Sequence, residues 1–174
     1  QNVVISTHQM LYGAPHALRD YFLQKKIHQL VYIGHPLVEQ RASSFHYYEN
    51  NTIISSHHVT RSLVLGPLDY IIDFFLSFVW TYFLPNKQNL FVGVDPLNCF
   101  TGLILKKLGK VEKVIYYAID FVPIRFHNHM LNNIFHFMEK FCVVHADETW
   151  NVSPRIAQGR EKFLQISSMQ HPQK

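Results

Sequence analysis

Hydrophobic and polar positions alternate in blocks along the chain. Asn2–Thr7 (NVVIST) is a short β-branched run of the kind that forms a buried strand, and His8–His16 (HQMLYGAPH) reads as the loop after it. Ala14, Leu18, Tyr21 and Phe22 then share one helical face, with Lys25 and Lys26 at the carboxyl end, where the helix dipole favours cations. Leu30–Ile33 predicts a second strand, closed by Gly34, His35 and Pro36. Between Arg41 and Leu65 only short β-like pieces stand out, NTIISS and RSLVL, with polar residues between them. Pro67–Leu84 (PLDYIIDFFLSFVWTYFL) is strongly apolar and approaches the roughly 20 residues that cross a bilayer. Asp69 and Asp73 argue against a membrane span, so the stretch predicts a long buried or interfacial helix.

The same rhythm continues. Leu90–Val94 predicts a strand, Asp95–Pro96 a turn, and Leu97, Phe100, Ile104 and Leu108 a helical stripe that Gly109 stops. Val114–Ile119 predicts another strand. A helix from near Asn128 to His145 is expected to bury Leu131, Ile134, Phe135, Met138 and Cys142. DETWNV predicts a last strand, and Ser153–Pro154 supplies a cap and first-turn proline for a helix through Leu164. Strands alternating with helices imply the α/β class: a Rossmann-like, mostly parallel sheet flanked by helices, in one domain over residues 1–165, with 166–174 as linker or disordered tail. Ligands of such sheets gather beyond the carboxyl ends of the strands. That rule sends the first loop, Asp95 and Asp120 to one rim.

Composition narrows the field. At 48% hydrophobic and 16% charged, the chain is too apolar for disorder, and some apolar surface is expected to meet a partner, another domain or a membrane. The net charge of +4 comes without a dense Lys/Arg block, which points away from nucleic acid and suits phosphorylated substrates or an anionic lipid surface. Cys99 and Cys142 lie in apolar, helical contexts without a CxxC, as reduced buried thiols do, and the start of the chain shows no signal-peptide pattern. The expected location is cytoplasmic, at the inner face of the membrane. The absence of an initiator Met suggests a fragment of a longer chain.

Few chemical motifs are present. GxGxxG, GxxxxGK[ST], HExxH and GxSxG are all missing, and the twelve histidines, closest at His57–His58 and at His127 and His129, show no metal-ligand spacing, so neither a cofactor nor a metal is expected. The loop around Gly13 either offers backbone N–H groups to a phosphate or is a plain turn. Asp120 either acts as a base or orients a sugar hydroxyl, and Asp95 either binds a substrate hydroxyl or, like Asp120, is a turn aspartate capping a neighbouring helix. Arg125 either pairs with Asp120 or faces a phosphate.

YYAIDFVPIRF (116–126) followed by LNNIFHFMEKFCVVHADETWNVSPRIAQGREKF (131–163) resembles the amino-terminal domain of GT-B glycosyltransferases of the family 4 type. The match is carried by Ala146, Asp147, Trp150, Asn151, Val152 and Ser153, while VISTHQMLYGAPHALRDYF (4–22) resembles that family's first strand, cleft loop and first helix. The resemblance implies one of two Rossmann-like domains facing a cleft, with the donor half absent and supplied in cis or in trans. It implies transfer from a nucleotide-sugar, a substrate and not a cofactor, to a glycan or lipid-linked acceptor, with peripheral membrane contact. Asp120 would be catalytic, Tyr12, Gly13 and Ala14 would face the donor phosphate, and His16, Asp95, Asn98 and Arg125 would bind the acceptor. Two positions depart from the pattern: Gly13 stands where the family often has paired glycines, and Asp120 where many members have a histidine. The alternative is a non-catalytic Rossmann-like binding or membrane-associated module.

Overall fold

The computed structural model describes residues 1–9, 12–36, 42–60, 66–167 and 171–174. Seven strands form one sheet in the order β4-β3-β2-β1-β5-β6-β7. The strands β1 (Asn2–Gln9), β2 (Gln29–Pro36), β5 (Gln88–Val94), β6 (Val111–Ala118) and β7 (Glu148–Asn151) pair in parallel. The strands β3 (Ala42–Glu49) and β4 (Thr52–Thr60) extend the β2 side as an antiparallel hairpin. The Rossmann-like α/β class expected from the sequence is the class observed. The central strands are buried on both faces and are rich in Val, Ile and Leu, as sheets covered by helices require.

Helices α2 (Pro67–Tyr82), α3 (Pro96–Lys107), α4 (His129–His145) and α5 (Pro154–Leu164) contribute to the larger core, with Val4, Val31, Phe91, Val114 and Tyr116 from the sheet. Helix α1 (Ala14–Gln24) covers the second core, of Val3, Ile5, Leu30, Tyr32 and Val92. Gly93 lets α3 approach β5: a Cβ there would lie 2.3 Å from the Cys99 backbone. Cys99 and Cys142 are free and buried, and burial pushes the Cys142 thiol well up, which keeps it protonated.

Four expectations change. β1 runs on through His8, which therefore belongs to the strand. β3 is a full strand that no apolar run announces, turned into β4 by Asn50 and Asn51, both at positive φ (47° and 68°). That is the backbone a two-residue hairpin needs and that asparagine tolerates. RSLVL lies outside the described residues. Helix α4 buries Glu139, Cys142 and Val143, whereas Ile134 is 48% exposed.

The largest change is α2. Its buried stripe is polar, Asp73, Ser77 and Thr81 at i, i+4 and i+8, and its outer face carries Leu68, Ile71, Phe75, Val79 and Phe83, all exposed. The described residues contain no helix long and apolar enough to cross a membrane. In the carboxyl tail, Ile166 is buried in the larger core, and Lys174 exchanges backbone hydrogen bonds with Thr149 and Asn151, so the end of the tail lies against β7. At the opposite edge β4 is exposed along nearly its whole length.

Candidate functional site

The chain leaves β1 for β2 on one side and reaches β5 on the other, so the strand order switches between β1 and β5. Side chains at the carboxyl ends of those two strands meet there. His8, at the end of β1, places Nδ1 2.7 Å from Asp95 Oδ2, just after β5. On its other side Nε2 lies 3.4 Å from Asp73 Oδ2 of α2.

Asp95 is held in several ways. Its Oδ1 accepts from the Asn98 backbone N–H (3.0 Å) as the cap of α3, and its Oδ2 accepts from Asn98 Nδ2 (2.7 Å). Its backbone sits at φ 95°, ψ 162°, a region that is essentially glycine-only, where a side chain costs about 1–3 kcal/mol. Strain of this kind persists only where its surroundings impose it. Pro96 in the first helical turn and the hydrogen bonds of the carboxylate to His8 and Asn98 supply that constraint here.

The contacts close into a ring beneath the rim. Asn98 Oδ1 accepts from Ser6 Oγ (2.6 Å), Ser6 Oγ meets Ser77 Oγ (2.8 Å), Ser77 Oγ meets His35 Nε2 (2.6 Å), and His35 Nδ1 lies 3.1 Å from Asp73 Oδ1. Ser43 Oγ reaches both His35 Nδ1 and Asp73 Oδ1. The polar stripe of α2 faces inward to complete this ring, since buried polar groups must be bonded.

The charge distribution follows. Burial opposes a charge on His8, but Asp95 and Asp73 outweigh it and raise its pKa to about 9, so it is an imidazolium at neutral pH. Burial would raise Asp73, yet the bonds to His35 and His8 hold it well below the usual carboxylate range. Asp95 is lowered in the same manner, burial being overcome by His8. His35 is lowered, with burial and the neighbouring His8 charge outweighing Asp73.

A cavity of about 420 Å³ opens over this ring. Thr7, His8, Tyr70, Asp95, Asp120 and Arg125 are its polar lining, and apolar side chains form the rest, most of them from α2, α3 and α4 with Val94, Ile119 and Phe126 beside them. Among the described residues no group of three or more His, Cys, Asp or Glu is placed to hold a metal ion.

Of the residues singled out in the sequence, Asp95, Asp120 and Arg125 reach this one cavity. Asp120 is half-exposed and pairs with Arg125 Nη1 at 2.6 Å, the first of the two alternatives for that arginine. Asn132 of α4 fixes their loop by accepting from the Arg125 N–H and donating to the Pro123 carbonyl. Asn98 is buried and acts on Asp95 without lining the cavity. His16 is buried in the first turn of α1, where its Nδ1 accepts from the Gly13 N–H (3.3 Å), and burial lowers its pKa. Tyr12 turns its hydroxyl to Asp20 (2.8 Å), and Tyr12, Gly13 and Ala14 are not part of the cavity wall.

His8, Asp73 and His35 were not read as site residues. The available signal was Ser6-Thr7-His8, a polar triplet at the end of an otherwise apolar strand, and Asp73 in an apolar helix with Ser77 four residues on. No family model matches the chain, and neither a curated protein nor a solved structure matches it significantly.

Proposed function

We propose that this chain is the acceptor-side domain of a glycosyltransferase that moves a sugar from a nucleotide-sugar to a glycan or lipid-linked acceptor, the donor half lying outside it. One observation carries the reading: the ends of β1, β5 and β6 bring His8, Asp95 and Asp120 to one cavity at the switch point of the sheet, where ligands of open α/β sheets bind. The resemblance of residues 116–126 and 131–163 to family 4 enzymes supports the reaction class.

The proposed roles follow from reach. Asp120 is at the cavity and half-exposed, and it takes the acceptor hydroxyl as base or orienting acceptor. Arg125 holds that carboxylate in place. His8, gripped by Asp95, is a fixed cation in the cavity wall, able to donate to an acceptor oxygen or to meet charge that develops during transfer. It brings from β1 an imidazole of the kind the family often carries after β6. Asp95 and Asn98 hold His8 and the rim rigid.

The test is to join the domain to a donor half and assay transfer from a nucleotide-sugar. Asp120→Ala is expected to lower transfer at least a hundredfold, in the range usual for positioned acid–base groups. A parental rate in that variant would remove Asp120 from the site. A membrane-peripheral location is supported separately by the outward apolar stripe of α2. Liposome flotation that Phe75→Asp abolishes would establish it, and flotation of neither protein would exclude it.

A further inference from the structure

The cavity is sharply divided. Much of its wall is Ile71, Phe74, Phe100, Leu131, Phe135 and Met138, which offer a ligand no hydrogen-bonding group stronger than a thioether. The remaining wall holds all the charge, two carboxylates and two cations, and the cations there are already matched: Arg125 by Asp120, and His8 by Asp95. Among the described residues of this wall no cation is left over for a phosphate or carboxylate ligand. Hydroxyl groups fit better, because each can donate to a carboxylate and accept from an imidazolium or guanidinium.

The apolar end has a way out. Leu68, Ile71 and Ile134 line the cavity yet are 55%, 52% and 48% exposed, so the space opens beside α2 and α4, both of which pack against α3. Outside the opening the surface stays apolar, through Phe75 of α2 and Phe137 of α4, each more than half exposed. A chain longer than the cavity would emerge onto an apolar surface and not into a charged one.

We propose that the cavity seats a single-chain amphiphile with an uncharged, hydroxyl-bearing head, the head at His8, Asp95 and Asp120 and the chain between α2 and α4. This rests on the transferase reading and narrows its acceptor to a neutral glycolipid-like molecule.

The experiment uses alkyl glucosides from methyl to octyl, each below its micelle concentration, titrated into the protein by calorimetry. Methyl glucoside is expected to bind too weakly to measure, and affinity is expected to rise about fourfold per methylene buried until the cavity is full. Octyl phosphate should bind at least tenfold more weakly than octyl glucoside. Ile134→Arg and Ile71→Glu, both at half-exposed positions that a polar side chain can occupy without unfolding the domain, should each weaken octyl glucoside at least tenfold. Ile53→Asp, on exposed β4 away from the cavity, should not. Affinity independent of chain length, tighter binding of the phosphate, or binding unchanged in both α2 and α4 variants would each overturn the proposal. The two readings separate once a donor half is joined. Chain-dependent binding without transfer would sink the transferase and leave the amphiphile site standing. Equal transfer to methyl and octyl glucoside would do the reverse.

Discussion

Two buried ionic clusters stand out among the described residues, and one of them lines the cavity described above while the other does not. At the rim, His8 lies between Asp95 and Asp73 under an open space. Farther along the sheet, Arg160 and Glu139 have side chains 0% and 2% exposed and meet at 2.5 Å. Tyr116 donates to the same Glu139, and Arg160 Nη1 donates to Asn151 and Gln173. This second cluster fastens α4, α5, β6, β7 and the tail to one another, and none of its members lines the cavity. Burial of charge is therefore no mark of function in this protein. What separates the rim cluster is its access to a ligand-sized space and the strained backbone of Asp95, whereas no member of the Arg160 cluster has positive φ. Strained residues gather where geometry matters for binding or chemistry.

The sharpest way to break the comparison is Arg160→Met. It leaves Glu139 buried without its cation and is expected to destabilise the fold by about 3–5 kcal/mol in chemical denaturation, with the double variant Arg160→Met/Glu139→Leu recovering much of the loss. If the single variant costs under about 1 kcal/mol, the cluster is not the clamp described here.

The rim cluster should show itself through pH. With the folded pKa of His8 raised to about 9 from an unfolded value near 6.5, its contribution is complete below pH 6.5 and disappears as pH rises through 9. Stability is expected to fall on the order of 2–3 kcal/mol across that window, with the slope kept in Arg160→Met and flattened in His8→Gln. An equal slope in His8→Gln would remove His8 as its source.

A smaller effect separates strain from capping. Asp95→Gly and Asp95→Ala both lose the cap and the His8 partner, but only glycine relaxes at φ 95°. The glycine variant should be more stable than the alanine variant by about 1–2 kcal/mol, measured by thermal melts of the pair. Equal melts would mean the backbone is not under strain.

Much of the fold could be read from the chain because its signals were local. The parallel strands other than β7 declare themselves as apolar runs, and Asp95 and Asp120 follow two of them, so their convergence follows from parallel order alone. β3 escaped notice because SSFHYY carries no apolar run and its partner turn is Asn50-Asn51 rather than a glycine turn. Helix α2 deceived for a deeper reason. Hydropathy marks which residues avoid water on average, whereas its buried face is chosen by what Ser6 and His35 offer from distant strands. The same long-range dependence hid His8, a lone polar residue until Asp73 and Asp95 are placed beside it.

The sheet's two outer margins have unlike consequences for assembly. Against β7, the short backbone pairing of Lys174 with Thr149 and Asn151 occupies hydrogen-bonding groups that would otherwise invite a second chain. At β4, no described strand lies beyond it, and eight of its nine residues, including Ile53, Ile54 and Val59, are exposed. Should molecules of this protein stack edge to edge at high concentration, β4 is the margin through which the stack would grow, and a lysine at Ile53 is the simplest way to stop it.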